Sequence, residues 1–161
     1  MKLNTKTACA TFVVAIGIFI IIRVIAMALG GEEGRLTRTI HKAKRLAERE
    51  NIVGLRDFIS ADYSDELGND RRSLLFIAKN FFDEYRNILI LIDALKIAID
   101  EKKAVADIEA TVYWQEKTSQ NINYDTAKVK ASFKKEENRW KLIELRFFEE
   151  EKKNLFHPMI G

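Results

Sequence analysis

Apolar residues fall into three regimes along this chain. From Thr7 to Leu29 they are nearly continuous. From Leu36 to Tyr85 they recur every three or four positions, the period of a helix face. From Ile88 onward they alternate with polar residues, the period of a half-buried strand. Leu36, Ile40, Ala43, Leu46 and Ala47 predict a first helix between Gly34 and Glu50. Asn51 suits the cap of a second, short helix carrying Ile52, Leu55 and Ile59. Ala61 to Gly68 reads as a polar loop, and Asn69 or Asp70 as the cap of a third helix with Leu74, Leu75, Ile77, Ala78, Phe81, Phe82 and Tyr85.

Four strands follow. In the first, Ile88, Ile90 and Ile92 share one phase, and Leu95, Ile97 and Ile99 the other. A phase change inside a strand is what a bulge produces. One extra residue at Asp93-Ala94 would turn both sets to the same core. Ala104, Ala106, Ile108, Ala110, Val112 and Trp114 alternate in the second strand. Ala127, Val129, Ala131 and Phe133 alternate with Lys128, Lys130, Ser132 and Lys134 in the third. Glu136-Glu137-Asn138 supplies a turn. In the fourth strand Trp140 and Leu142 give way to Ile143, Leu145 and Phe147, a second phase change. The class is α+β: three helices, then a four-stranded antiparallel sheet with two bent strands.

The opening run is roughly the length of a membrane-crossing helix. Its one charge, Arg23, lies near the end, where a long side chain can snorkel to the headgroups. Residues 1–29 are therefore expected to form one transmembrane signal-anchor. Residues 30–34, with three glycines in GGEEG, are expected to form a flexible joint, and residues 35–161 the domain. The alternative is cleavage after Ala26-Met27-Ala28. Cys9 does not mark a lipoprotein, because Lys6 stands where a lipid-attachment box needs an apolar residue. Lys2, Lys6 and the amino terminus favour a cytoplasmic N-terminus and an extracytoplasmic domain on the cell membrane. Arg35, Arg38, Lys42, Lys44 and Arg45 pull the opposite way by the positive-inside count.

Composition narrows the function classes. A 32% charged and 47% hydrophobic chain is that of a folded domain. A net charge of +3, with acids interspersed, does not point to nucleic acid. A single cysteine excludes an intramolecular disulfide and a cysteine-based zinc site. No glycine-rich phosphate loop, HExxH or GxSxG is present. His41 and His157 have no nucleophile partner by motif. No cofactor is expected.

The order of elements, together with NIVGLRDFIS, the loop ADYSDE and the closing hairpin FKKEENRWKLIELRF, resembles the nuclear transport factor 2-like superfamily, SnoaL-like domains included. The resemblance spans nearly all of the chain after the glycines. It implies a cone, a strongly curved sheet wrapped around the helices. It also implies a small-molecule pocket in the cone and a homodimer through the outer sheet face. Members include isomerases, cyclases, dehydratases, transport adaptors and membrane-tethered scaffold domains of secretion machines, so the fold does not select a function.

Tyr63, Tyr85, Tyr113 and Trp114 are the candidate lining of a ligand pocket, with Glu144 and Arg146 as a charged pair on one strand face. Ordinary core and edge packing, and a surface ion pair, are the plainer readings of the same residues. Asp93 would be a general base if it faced the core; at a bulge it points to solvent. Asp62, Asp65, Glu66 and Asp70 crowd one loop without the ligand spacing of a calcium site, so helix capping explains them better. Trp140 reads as packing. The expectation is a membrane-tethered, non-catalytic binding module that takes a small apolar ligand or a partner. The alternatives are a SnoaL-like isomerase or hydrolase with Asp93 as base, and a scaffold component of a secretion or conjugation assembly.

Overall fold

The computed structural model describes residues 30–148. The expected anchor and the tail beyond Phe148 lie outside the described residues. Among the described residues no helix is long and apolar enough to cross a membrane.

Helix α1 spans Gly31–Glu48 and buries Leu36 and Ile40, one helical turn apart. Glu32 and Glu33 in its first turn and Arg45 in its last complement the helix dipole. The glycine joint is thereby corrected. Four of its five residues belong to α1, and Gly31 starts the helix at φ +31°, a backbone that glycine adopts readily. Helix α2, Ile52–Arg56, is capped by Asn51, whose side chain accepts the Gly54 N–H at 2.8 Å. Gly54 lets α2 approach α1 closely, since a Cβ there would lie 2.6 Å from Leu46 Cδ2. Ile59 is not on this helix. It forms a parallel bridge with Leu142. Helix α3, Arg71–Glu84, is capped by Asp70 and not by Asn69.

Strands β1 (Tyr85–Asp100), β2 (Lys103–Glu116), β3 (Ile122–Glu136) and β4 (Arg139–Phe148) form one antiparallel sheet in sequence order. In β1, Ile92 pairs with Ala110 and Ala94 with Glu109, so Asp93 is the unpaired extra residue, and it is exposed. Ile92, Leu95, Ile97 and Ile99 consequently all pack on the core. A second irregularity, between Arg86 and Leu89, has no forewarning in the apolar pattern; Asn87 sits there at φ +53°. In β4, Ser132 pairs with Glu144 and Phe133 with Leu142, leaving Ile143 as the bulge that the phase change required. Glu137 and Asn138 both have positive φ, the backbone of a tight hairpin turn.

The core collects Leu36 and Ile40 from α1, Ala104 and Ala106 from β2, Ala131 and Phe133 from β3, and Trp140 and Leu142 from β4. Helix α1 reaches both edge strands, β1 and β4. Small alanines in the central strands leave room beneath the helix, and the bulges bend the outer strands towards it. The β4 edge is not left bare. Ser60 and Ser64 donate backbone N–H bonds to Leu142 and Ile143, and Leu142 donates back to Phe58.

Candidate functional site

The six residues singled out as a ligand-lining set occupy different places. Tyr85 and Trp114 come together. Tyr85 is not on α3, where the helix pattern placed it, but caps its C-terminus and begins β1; its ring lies 4.6 Å from Phe81 and 6.2 Å from Trp114. With Ile122, Asn123, Tyr124, Glu116 and Asp125 they line a hollow of about 550 Å³ at one end of the sheet. Burial pushes the Tyr85 phenol up, and the neighbouring Glu84 and Glu116 carboxylates add to this. Glu116 and Asp125 are themselves exposed.

Tyr113 follows the strand alternation to the opposite face from Trp114. There it meets its cross-strand partner Tyr124, with ring centroids 5.7 Å apart. Tyr63 is remote from all of these. It is 3% exposed, in the segment that runs beside β4, and its hydroxyl donates to Asp65 Oδ2 at 3.1 Å. Burial, reinforced by the Asp65 carboxylate, pushes its phenol well above the ordinary range. Glu144 and Arg146 form an ion pair at 2.9 Å. Glu66 at 3.2 Å from Arg146 and Ser132, which donates to Glu144 at 3.3 Å, complete the cluster. It sits on the outer sheet face, since Ser132 alternates with the buried Ala131 and Phe133. That face also carries the cross-strand pairs Asp107–Lys130 and Glu109–Lys128, so its centre is largely charged.

The acidic loop organises itself. Burial pushes the Asp65 carboxyl up, but donors from Asn69, Tyr63 and Leu67 outweigh it and hold the group below the usual carboxylate range. Asp62 pairs with Lys134 at 3.2 Å, and Asp70 caps α3. Among the described residues no group of three or more His, Cys, Asp or Glu side chains is placed to hold a metal ion. Asp93, on the outside, accepts a hydrogen bond from Thr111 at 2.7 Å.

A second concavity, of about 540 Å³, lies between α1, the end of α2 and the start of β4. Leu46, Phe58 and Trp140 give it an apolar floor, and Arg35, Arg38, Lys42, Arg139 and Lys141 line it. Trp140 is 4% exposed and its indole N–H donates to Glu32 at 3.1 Å. The Lys135 ammonium, 2.8 Å from Glu32, holds that carboxyl below its ordinary value, with Arg35 adding to the effect. On α1, the like charges of Arg35, Arg38 and Lys42, three and four residues apart, cost on the order of 0.2–0.5 kcal/mol per neighbouring pair. In the sequence, Arg35, Arg38 and Lys42 bear only on topology. Their three- and four-residue spacing was the available signal; their meeting with Arg139 and Lys141 depends on the tertiary fold.

No protein-family model matches this sequence, and no curated protein matches it. Solved structures do share its fold. One is a nuclear transport factor 2-like superfamily protein from Salmonella enterica, with a TM-score of 0.64 at 11% identity over 74% of this chain and 92% of that one. A structure from Novosphingobium aromaticivorans, assigned provisionally as a scytalone dehydratase, has a TM-score of 0.66 at 13% identity over 73% and 85%. A third, from Exiguobacterium sibiricum and assigned provisionally as a calcium/calmodulin-dependent kinase II association domain, has a TM-score of 0.61 at 11% identity over 73% and 92%. At such identities the likeness establishes the nuclear transport factor 2-like fold and nothing finer. The same fold carries an enzyme assignment in one neighbour and an assembly assignment in another.

Proposed function

We propose that this chain is a membrane-tethered, non-catalytic binding module built on the nuclear transport factor 2-like fold. One observation carries the reading. The acid that interrupts the apolar run of β1, Asp93, is expelled from the core by its bulge, and the core-facing positions around it are Ile92, Leu95 and Ile97. A carboxylate on the outer face of the sheet does not reach a molecule held between the helices and the inner face. The tether rests on the apolar run Thr7–Leu29, and confinement by it would raise the effective concentration at a membrane partner. The hollow lined by Tyr85 and Trp114 is where a small apolar ligand would sit. A homodimer through the outer sheet face would have to accommodate the charged pairs of β2 and β3.

The alternative, an isomerase or hydrolase, has one feature in its favour: Glu116 and Asp125 share the aromatic hollow with the Tyr85 phenol. A full chain carrying Asp93→Asn, Glu116→Gln and Asp125→Asn separates the two. It is expected to complement a deletion of the native chain as the parent does. Lost complementation with unchanged folding and assembly would point to proton chemistry.

A further inference from the structure

The cleft beside α1 gathers more positive charge than its own structure uses. Arg35 pairs with Glu32 at 3.1 Å, and the Lys141 ammonium donates to the Asp57 carbonyl. The side chains of Arg38, Lys42 and Arg139 make no hydrogen bond or ion pair with any described residue. Asp57 contributes the one carboxylate among the described lining residues. Three cations without a partner among the described residues therefore line a concavity that also holds Trp140, Leu46 and Phe58. Scattered surface cations need no explanation. Converging ones over an apolar floor raise the local potential, and the low-dielectric floor strengthens it. Two are guanidinium forks, from α1 and from β4, whose paired N–H donors match the oxygens of a phosphate group.

We propose that this cleft binds a phosphate-bearing anion. The inference rests on the reading of the chain as a binding module; binding of a phosphate group needs neither the tether nor the aromatic hollow, and only the preference for a headgroup uses the tether. The phosphate can be free in solution or part of a lipid headgroup, and the position of the cleft favours the headgroup. Helix α1 begins two residues after the apolar run ends at Leu29. Within α1, Gly31 to Lys42 spans about 16 Å at the helical rise. Where that run is embedded, the α1 cations of the cleft follow it within one helix, which favours a headgroup as the source of the phosphate.

The test uses the full chain in uncharged dodecyl maltoside micelles. Trp114→Phe removes one of the two tryptophans, leaving Trp140 in the cleft floor as reporter. Inorganic phosphate is titrated in one arm. In the other, the micelles are doped with phosphatidylglycerol, against phosphatidylcholine as reference. A saturable change in Trp140 emission is expected, weakening as salt is added. Arg38→Glu and Arg139→Glu should each weaken it about tenfold or more, as expected for losing a charged hydrogen bond. Lys96→Glu, on an exposed position of β1, should leave it unchanged. If a charge reversal perturbs folding by circular dichroism, Arg38→Gln is read instead, with the same expected loss.

Saturation by phosphate alone shows that a free anion suffices; saturation only by phosphatidylglycerol assigns the headgroup. No response to either probe, or equal responses from Arg38→Glu, Arg139→Glu and the parent, overturns the proposal. Lost complementation by the triple amide variant would remove the non-catalytic reading and leave the cleft result standing.

Discussion

Trp140 joins the core to the cleft. It is buried in the core cluster that also holds Leu36, Phe133 and Leu142, and its indole N–H reaches Glu32 on α1. Trp140→Ala should therefore destabilise the protein by roughly 3–5 kcal/mol, measured by denaturant unfolding. Its packing role was legible because a lone tryptophan after a charged turn begins the inward phase of β4. Tyr63 was not legible in the same way. A tyrosine in the polar loop ADYSDE looks like a rim residue, yet it is sealed beneath that loop with its hydroxyl on Asp65. Nothing local separates an exposed loop aromatic from one that anchors the loop. That difference arises from the pairing of residues 58–64 with the β4 edge, which is made by backbone groups.

Elements were readable where the apolar period was long. Both sides of Asp93 carry three alternating apolar residues, so the phase change located the bulge; at Asn87 the helix pattern has just ended and no phase exists to break. Deleting Asp93 should then be far worse than substituting it. Removing the extra residue turns either Ile88, Ile90 and Ile92 or Leu95, Ile97 and Ile99 away from the core, and loss of cooperative unfolding is the expected outcome. The loop after α2 should respond to acid. Its Asp65 carboxyl is held below its unfolded value, so the stability it contributes is present above about pH 4 and lost as pH falls through its folded value. Hydrogen exchange at the Leu67 and Asn69 amides should accelerate over that window, and Asp65→Asn should show the faster exchange already at neutral pH. Equal exchange at pH 7 and pH 3, after correction for intrinsic rates, would contradict this.

For the whole molecule, sequence order and period gave the α+β class, the antiparallel strand order and the inner faces of the sheet. The function-bearing surfaces were less accessible, because each is assembled from segments distant in sequence. Tyr85 and Trp114 meet across the β1–β2 pair; Arg38 and Arg139 meet only after the sheet closes on α1. Topology is a separate matter. The anchor reading expects a C-terminal alkaline phosphatase fusion to be active and a cytoplasm-only fluorescent reporter to stay dark. Bright fluorescence without phosphatase activity would reverse the orientation and agree with the basic residues of α1. The binding-module account turns most directly on where Asp93 resides, and the unfolding free energy of Asp93→Leu in the full chain measures it. An exposed bulge position predicts a change within about 0.5 kcal/mol. A gain beyond about 1 kcal/mol, as when a buried carboxylate is relieved, would contradict the account and return Asp93 to the interior as a base.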